Sequence, residues 1–115
     1  MDWIKTINTH ALWKKRLQGL LDGSSDETLD PVAVEVDTIC ELGQWIRGEG
    51  QKHNQVAGFD EMRQMHSEFH RMIGKIVSLC EAGHTESAGS LLNGDFAKLS
   101  EQLKHRILSL SNQLR

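Results

Sequence analysis

Two histidines one helical turn apart are the residues of this chain best suited to do chemistry. His66 and His70 stand four positions apart in the stretch DEMRQMHSEFHRMIGKIVSLC, which covers residues 60–80. On an α-helix this spacing puts two side chains on one face, about 6 Å apart at the backbone, so that both imidazoles can bind one metal ion. Taken alone, the pair is also consistent with two surface or core histidines that have this spacing by chance and bind no metal.

Two further metal-binding side chains fall on predicted apolar helix faces. His10 shares a stripe with Trp13 on the first predicted helix, and Cys40 lies in the middle of the second. A buried imidazole needs a polar partner, and a site built from nitrogen and sulfur ligands would provide one. His10 and Cys40 are therefore candidates to join His66 and His70.

Hydrophobic spacing predicts the elements that must position these four residues. Long helices are expected at residues 3–21, from Asp30-Pro31 to the glycines at 48 and 50, at 59–81 and at 95–114, with a short helix at 86–92. This pattern predicts an all-α fold: an antiparallel four-helix bundle with a short extra helix between the third and fourth long helices. The third helix has two adjoining apolar stripes, which predicts either a central position or an additional subunit interface.

Length and composition restrict the class of protein. With 115 residues the chain is expected to form a single domain over residues 1–115. The net charge is −3 and the basic residues are scattered, which argues against a nucleic-acid partner. No apolar run approaches the roughly 18 residues of a membrane span, and the first residues do not resemble a secretion signal. Two cysteines are too few for a disulfide scaffold, so we expect a cytoplasmic protein with free or metal-bound thiols.

Three sequence blocks in a fixed order resemble a known family. They are His10-Ala-Leu-Trp13, Cys40-Glu-Leu-Gly-Gln-Trp45 and His66-x-x-x-His70. Together they are similar to the signature of the chemoreceptor zinc-binding (CZB) domain, and the match spans residues 10–70. The domain would fill the whole chain.

The resemblance implies a Zn²⁺ site formed by His10, Cys40, His66 and His70, on a helical bundle that forms a homodimer. It also implies control of a signalling protein such as a chemoreceptor, a kinase or a diguanylate cyclase that makes cyclic-di-GMP, in response to zinc. Cys40 would be the redox-sensitive ligand, because an oxidised thiolate binds metal less well. Four protein ligands leave no open position on the metal, which argues against an enzyme. A histidine that binds a metal usually donates its other ring N–H to a carboxylate or carbonyl. Asp37, one helical turn before Cys40, is the candidate to accept such a hydrogen bond.

Two alternative functions remain open at this point. A hemerythrin-like di-iron protein is also a histidine-rich four-helix bundle, but it needs bridging carboxylates at helical spacing to histidine. A metal-free helical interaction protein is the other alternative. The remaining metal-binding side chains are not expected to be ligands: Cys80 as a buried small residue, and His53, His84 and His105 as solvated ones.

Overall fold

The computed structural model describes residues 1–114, and in these residues the regular structure is helical throughout. The α-helices are α1 (Trp3–Asp22), α2 (Pro31–Val34), α3 (Glu41–Arg47), α4 (Phe59–Glu81), α5 (Thr85–Leu91) and α6 (Ala97–Gln113). Short 3-10 turns cover Asp37–Ile39 and Glu49–His53, and a π-helical turn covers Leu92–Phe96. The predicted all-α helical bundle is confirmed. Within residues 1–114, no helix combines the length and the apolar character that a bilayer crossing requires.

Helix α4 is the centre of the bundle, and its bounds agree with the predicted range of 59–81. It packs against α1, α2, α5 and α6. Its first apolar stripe is fully buried at Met62, Phe69 and Ile73, while Met65 and Met72 of the second stripe are half-buried against the same core. Neighbours within the chain therefore account for the central position. A subunit interface on α4 stays a prediction.

Helix α1 brings one predicted ligand to the core. Its first turn is closed by Asp2, whose carboxylate accepts a hydrogen bond from the Lys5 backbone N–H at 3.0 Å. His10, Trp13 and Leu17 are buried on one face, as the spacing of three and four residues predicts. His10 thus lies inside the bundle.

The second predicted helix does not exist as one element. The chain forms α2, a 3-10 turn at Asp37–Ile39 and α3 instead, and three apolar residues within the predicted range are exposed: Val32, Val36 and Ile39. Only Val34 of α2 is buried. The break lets the Asp37 carbonyl fold back onto α3 at Gly43, where an added Cβ would overlap that carbonyl. An uninterrupted helix could not place the carbonyl there.

The last two predicted helices form one continuous helical segment. The expected interruption at Asn93-Gly94 is a π-helical turn that joins α5 to α6. A glycine inside a helix costs only about 1 kcal/mol relative to alanine. Burial of Leu92 and Phe96 on either side of it outweighs that cost, and Phe96 stacks on Phe69 of α4 at a centroid distance of 4.9 Å.

Candidate metal centre

The four predicted ligands converge on one point in the bundle. One ligand atom from each of His10, Cys40, His66 and His70 can be chosen so that all four lie within 4.8 Å of one another. Helix α1 contributes the first, the start of α3 the second and α4 the last two. Residues distant in sequence are therefore brought together by packing, as the sequence pattern predicts.

The two histidines of α4 form the most enclosed part of the cluster. Neither side chain is accessible to solvent, and their ring centroids are 4.6 Å apart. The His10 ring lies 5.1 Å from that of His66 and 6.0 Å from that of His70. Successive turns of a long, well-packed helix hold His66 and His70, so their relative position is fixed before any ion binds.

Backbone carbonyls orient two of the three imidazoles. His10 Nδ1 lies 2.7 Å from the Thr6 carbonyl oxygen, and His70 Nδ1 lies 3.1 Å from that of Val34. A carbonyl can only accept, so each Nδ1 must carry the proton and donate it, which leaves the Nε2 lone pair of each ring free for a metal. These two carbonyls were missed by the sequence reasoning, because a backbone acceptor has no residue-type signature.

Two buried ring nitrogens have no hydrogen-bond partner among the described residues. They are His70 Nε2, which is the nitrogen left free by the bond to Val34, and His66 Nδ1. An unpaired buried polar atom costs roughly 1–3 kcal/mol, so such atoms normally have a partner or a function. A metal ion bound at His70 Nε2 would satisfy the first of them.

Cys40 joins the cluster from the end of an element and not from mid-helix. It is the N-terminal cap residue of α3, with extended backbone dihedrals of −110° and 158°. Its Sγ lies 3.1 Å from His66 Nε2 and 3.8 Å from His10 Nε2. The expected mid-helix position was wrong because the helix breaks at the 3-10 turn before Cys40, but the side chain still reaches the site.

Asp37, the predicted outer partner of a ligand histidine, makes a different contact. Its buried carboxylate accepts a hydrogen bond from the Arg47 guanidinium at 3.2 Å. Its backbone carbonyl accepts one from the Cys40 thiol, with 3.5 Å between oxygen and Sγ. Burial lowers the pKa of His70, and the hydrogen bond to the Val34 carbonyl and then the charge of Asp37 raise it in part. Asp37 thus lies beside the cluster, with its carbonyl next to Cys40 and its carboxylate paired with Arg47.

Burial sets the protonation states of the cluster. Desolvation lowers the pKa of His10 to about 4 and that of His66 to about 2, and it also lowers the pKa of His70. Desolvation raises the pKa of the Cys40 thiol, which the nearby amides of Gly43 and Leu42 partly offset. At neutral pH the metal-free cluster therefore consists of three neutral imidazoles and a thiol.

These donors fit a tetrahedral zinc ion. Zn–N and Zn–S bonds of about 2.05 and 2.3 Å put neighbouring ligand atoms about 3.3–3.6 Å apart in a tetrahedron. The Cys40 Sγ distances of 3.1 and 3.8 Å to two imidazole nitrogens lie on either side of that range. The four ligand atoms spread over up to 4.8 Å, so the side chains would draw together to bind an ion.

The other cysteine and histidines lie outside the cluster. Cys80 is half-buried near the end of α4, less enclosed than the buried position predicted for it, whereas His84 and His105 are exposed, as predicted. His53 differs in part from the expected solvated residue, because it is half-buried and stacks on Trp45 with ring centroids 6.1 Å apart. Among residues 1–114, the group of four is the one cluster of His, Cys, Asp and Glu side chains close enough to hold an ion.

Comparison with known proteins gives one family. The family model for the chemoreceptor zinc-binding domain matches residues 10–77, which is more than half of the chain and includes all four clustered side chains. The metal bound by that family is zinc, in agreement with the donor set found here. Neither the curated proteins nor the solved structures include a significant match.

Proposed function

The chain belongs to the chemoreceptor zinc-binding domain family, and we propose that it is a regulatory module in which one Zn²⁺ controls a signalling protein. The observation that carries this proposal is the convergence of four metal-binding atoms within 4.8 Å, supplied by three separate elements. His10, Cys40, His66 and His70 would be the ligands. Three neutral imidazoles and one thiolate give the zinc-loaded site a formal charge of +1.

A closed coordination shell supports a regulatory role over a catalytic one. Zinc enzymes keep one position open for water or substrate, whereas structural zinc has four protein ligands in a tetrahedron. The four proposed donors would fill that tetrahedron. We therefore propose that the chain is not an enzyme and acts by binding.

Zinc would act by tying three elements of the bundle together. The ligands come from α1, the start of α3 and α4, so metal loss would release the first two from the third. A change in helix packing of this kind is what a partner could detect. The family resemblance suggests a chemoreceptor, a kinase or a diguanylate cyclase as that partner, with chemotaxis or cyclic-di-GMP synthesis as the output.

Cys40 would add a response to oxidants. It is half-buried, whereas His66 and His70 are inaccessible, and a cleft of about 350 Å³ beside α1 is lined by Cys40, His10 and Ile39. Hydrogen peroxide that reached the thiolate through this cleft would transfer one oxygen to it, giving a sulfenate and one water molecule. The sulfenate is a weaker zinc ligand, so oxidation would release the metal.

A di-iron centre is the less favoured alternative. Such a centre needs bridging carboxylates, and the cluster found among residues 1–114 contains none. A metal-free interaction protein is less favoured too, because it would leave His70 Nε2 buried without a purpose. Both alternatives predict that the chain does not bind one zinc ion tightly.

Homodimer formation and a cytoplasmic location stay predictions. Apolar side chains that a partner subunit could cover are exposed on α1 at Ile4 and Leu12, and on the segment before α3 at Val36 and Ile39. Both cysteines are free thiols, which suits a reducing compartment.

Zinc content and competition with a chromophoric chelator test the proposed function. The wild-type chain is expected to bind one zinc ion per chain, and Cys40→Ala to bind it far more weakly. Cys80→Ala is the matched control, since it also removes one half-buried thiol but leaves the cluster intact. Equal affinity of the Cys40→Ala and Cys80→Ala variants would contradict the assignment.

A further inference from the structure

We propose that Gly74 is a positioning residue for the zinc site, although it contacts none of the proposed ligand atoms. Its missing side chain lets α2 lie directly on α4, and α2 in turn holds the His70 ring through the Val34 carbonyl. This inference rests on the proposed function, because it assigns a role toward the zinc bound there.

Gly74 is buried one helical turn after His70, at the point where α2 crosses α4. A Cβ at this position would lie 2.8 Å from the Glu35 Cβ and 2.8 Å from the Pro31 carbonyl oxygen. Both distances are shorter than packed atoms tolerate, and both atoms belong to or adjoin the backbone of α2. Any residue larger than glycine must therefore push α2 away from α4.

Packing on α4 is the main support of α2. The helix has four residues, of which Val34 is the buried one, while Val32 is 67% exposed and Ala33 is exposed as well. A helix this short is not stable by itself, so its position depends on the surface it packs against. For α2 that surface is α4 around Gly74.

The position of α2 matters because of what its last residue does. The Val34 carbonyl oxygen accepts a hydrogen bond from the His70 Nδ1–H group, with 3.1 Å between oxygen and nitrogen. This bond fixes the tautomer and directs Nε2 into the cluster. A shift of α2 by a few tenths of an ångström or more would lengthen or break this bond. The ring would then lose the contact that holds it for the metal.

The same shift would reach the thiol ligand. Six residues after Val34, the chain arrives at Cys40 through the 3-10 turn Asp37–Ile39. The Asp37 carbonyl lies against Gly43 and accepts from the Cys40 thiol at 3.5 Å. Gly74 thus supports the placement of two of the four proposed ligands, one directly through Val34 and one along the chain.

The variant Gly74→Ala tests the inference through zinc affinity. Loss of an outer hydrogen bond to a ligand histidine typically weakens metal binding about 10- to 100-fold, and we expect a loss in that range. Gly89→Ala is the matched control, because this glycine also lies between helices, but its Cβ would meet only the Leu21 Cδ2 at 3.4 Å. The control should bind zinc as the wild type does.

Nitrogen-15 NMR of the His70 ring separates positioning from a general loss of stability. In the zinc-loaded wild type, His70 should show a protonated Nδ1 whose exchange with water is slow, and in Gly74→Ala this proton should exchange faster. Unchanged zinc affinity in a folded Gly74→Ala variant would overturn the inference. If the variant does not fold, the wild-type spectrum decides, and a His70 ring protonated at Nε2 would overturn it.

The two proposals fail in different ways. A wild-type chain that binds no zinc would overturn the proposed function and this inference with it. A wild-type chain that binds one zinc ion while Gly74→Ala binds equally well would overturn the role of Gly74 alone.

Discussion

The side chains of the proposed zinc site differ in protonation as well as in burial. The imidazoles are neutral because burial lowers their pKa values, to about 4 for His10 and about 2 for His66, while the raised pKa of the Cys40 thiol keeps it protonated. Zinc binding therefore has one proton to displace. The thiol, and not the histidines, makes zinc affinity depend on pH in the neutral range.

Proton release on zinc binding should equal about one per ion at pH 7.5. Three imidazoles bind without losing a proton, and the Cys40 thiol gives up one as it becomes a thiolate. Calorimetry in buffers of different ionisation enthalpy measures this number. The Cys40→Ala variant should release none, and a release of two or more by the wild type would mean that histidines are charged before zinc binds.

The metal-free protein should lose stability in mild acid. The pKa values of His10 and His66 are about 6.5 in the unfolded chain and lower in the folded one, so below pH 6.5 the unfolded chain binds more protons. Stability is therefore complete above about pH 6.5 and falls as the pH falls, by about 2 kcal/mol for each of the two histidines at pH 5. Urea unfolding at pH 7 and pH 5 measures the loss.

A substitution within the cluster tests this acid effect. His10→Gln should show a smaller difference between pH 7 and pH 5 than the wild type, because it removes one of the histidines whose pKa burial lowers. A wild-type unfolding midpoint that does not change between the two pH values would show that the buried histidines are not held neutral.

The four clustered side chains could be predicted from sequence, because imidazole and thiol groups are visible as residue types and stand in blocks that resemble a zinc-binding family. The partners that orient them could not. Thr6 and Val34 contribute backbone carbonyls, and the same contact is open to any residue at those positions. Asp37 was chosen for its carboxylate, yet its carbonyl is the group that lies beside Cys40.

At the scale of elements, helix bounds were predicted correctly where a helix buries a continuous apolar face. They were predicted wrongly where the apolar residues are not buried on one face. Helix α4 has apolar residues at helical spacing over 23 residues, and its bounds match the expected ones. The segment from Pro31 to Arg47 has a similar apolar spacing, but Val32, Val36 and Ile39 face solvent. Periodicity alone could not show that the Asp37 carbonyl must fold back onto Gly43.

The π-helical turn gives a prediction about helix stability. Gly94 is exposed within this turn, and a Cβ there would meet nothing within 4 Å. Gly94→Ala should stabilise the protein by roughly 0.5–1 kcal/mol, because alanine loses less backbone entropy on folding. Urea unfolding measures the change.

A glycine with a different backbone conformation is the comparison. Gly58 precedes α4 with a φ of 88°, so Gly58→Ala should destabilise the protein even though its Cβ would also meet open space. Destabilisation by Gly94→Ala would mean that the chain needs a real break between α5 and α6.

At the scale of the whole molecule, zinc would connect parts of the fold that are separate in sequence. A domain of 115 residues has a modest net stability, on the order of 5–15 kcal/mol, so one ion can supply a large part of it. The bundle has an apolar core without the metal, built around Phe69, Phe96 and Leu17. Zinc should therefore tighten a folded chain and not create the fold.

Zinc removal should lower the melting temperature without unfolding the chain at room temperature. Free zinc at about 1,000 times its dissociation constant stabilises the folded state by about 4 kcal/mol. Circular dichroism melts with and without a chelator measure this effect. The Cys40→Ala variant should show little of the shift, and a wild-type melting temperature that is indifferent to the chelator would contradict the proposed site.

Zinc K-edge X-ray absorption of the loaded protein tests the coordination itself. We predict a first shell of three nitrogens at about 2.0–2.1 Å and one sulfur at about 2.3 Å, with multiple scattering from three imidazoles. Cys40→Ala should lose the sulfur contribution, and Cys80→Ala should keep it. A wild-type shell with no sulfur, or with two, would contradict the assignment of His10, Cys40, His66 and His70 as the zinc ligands.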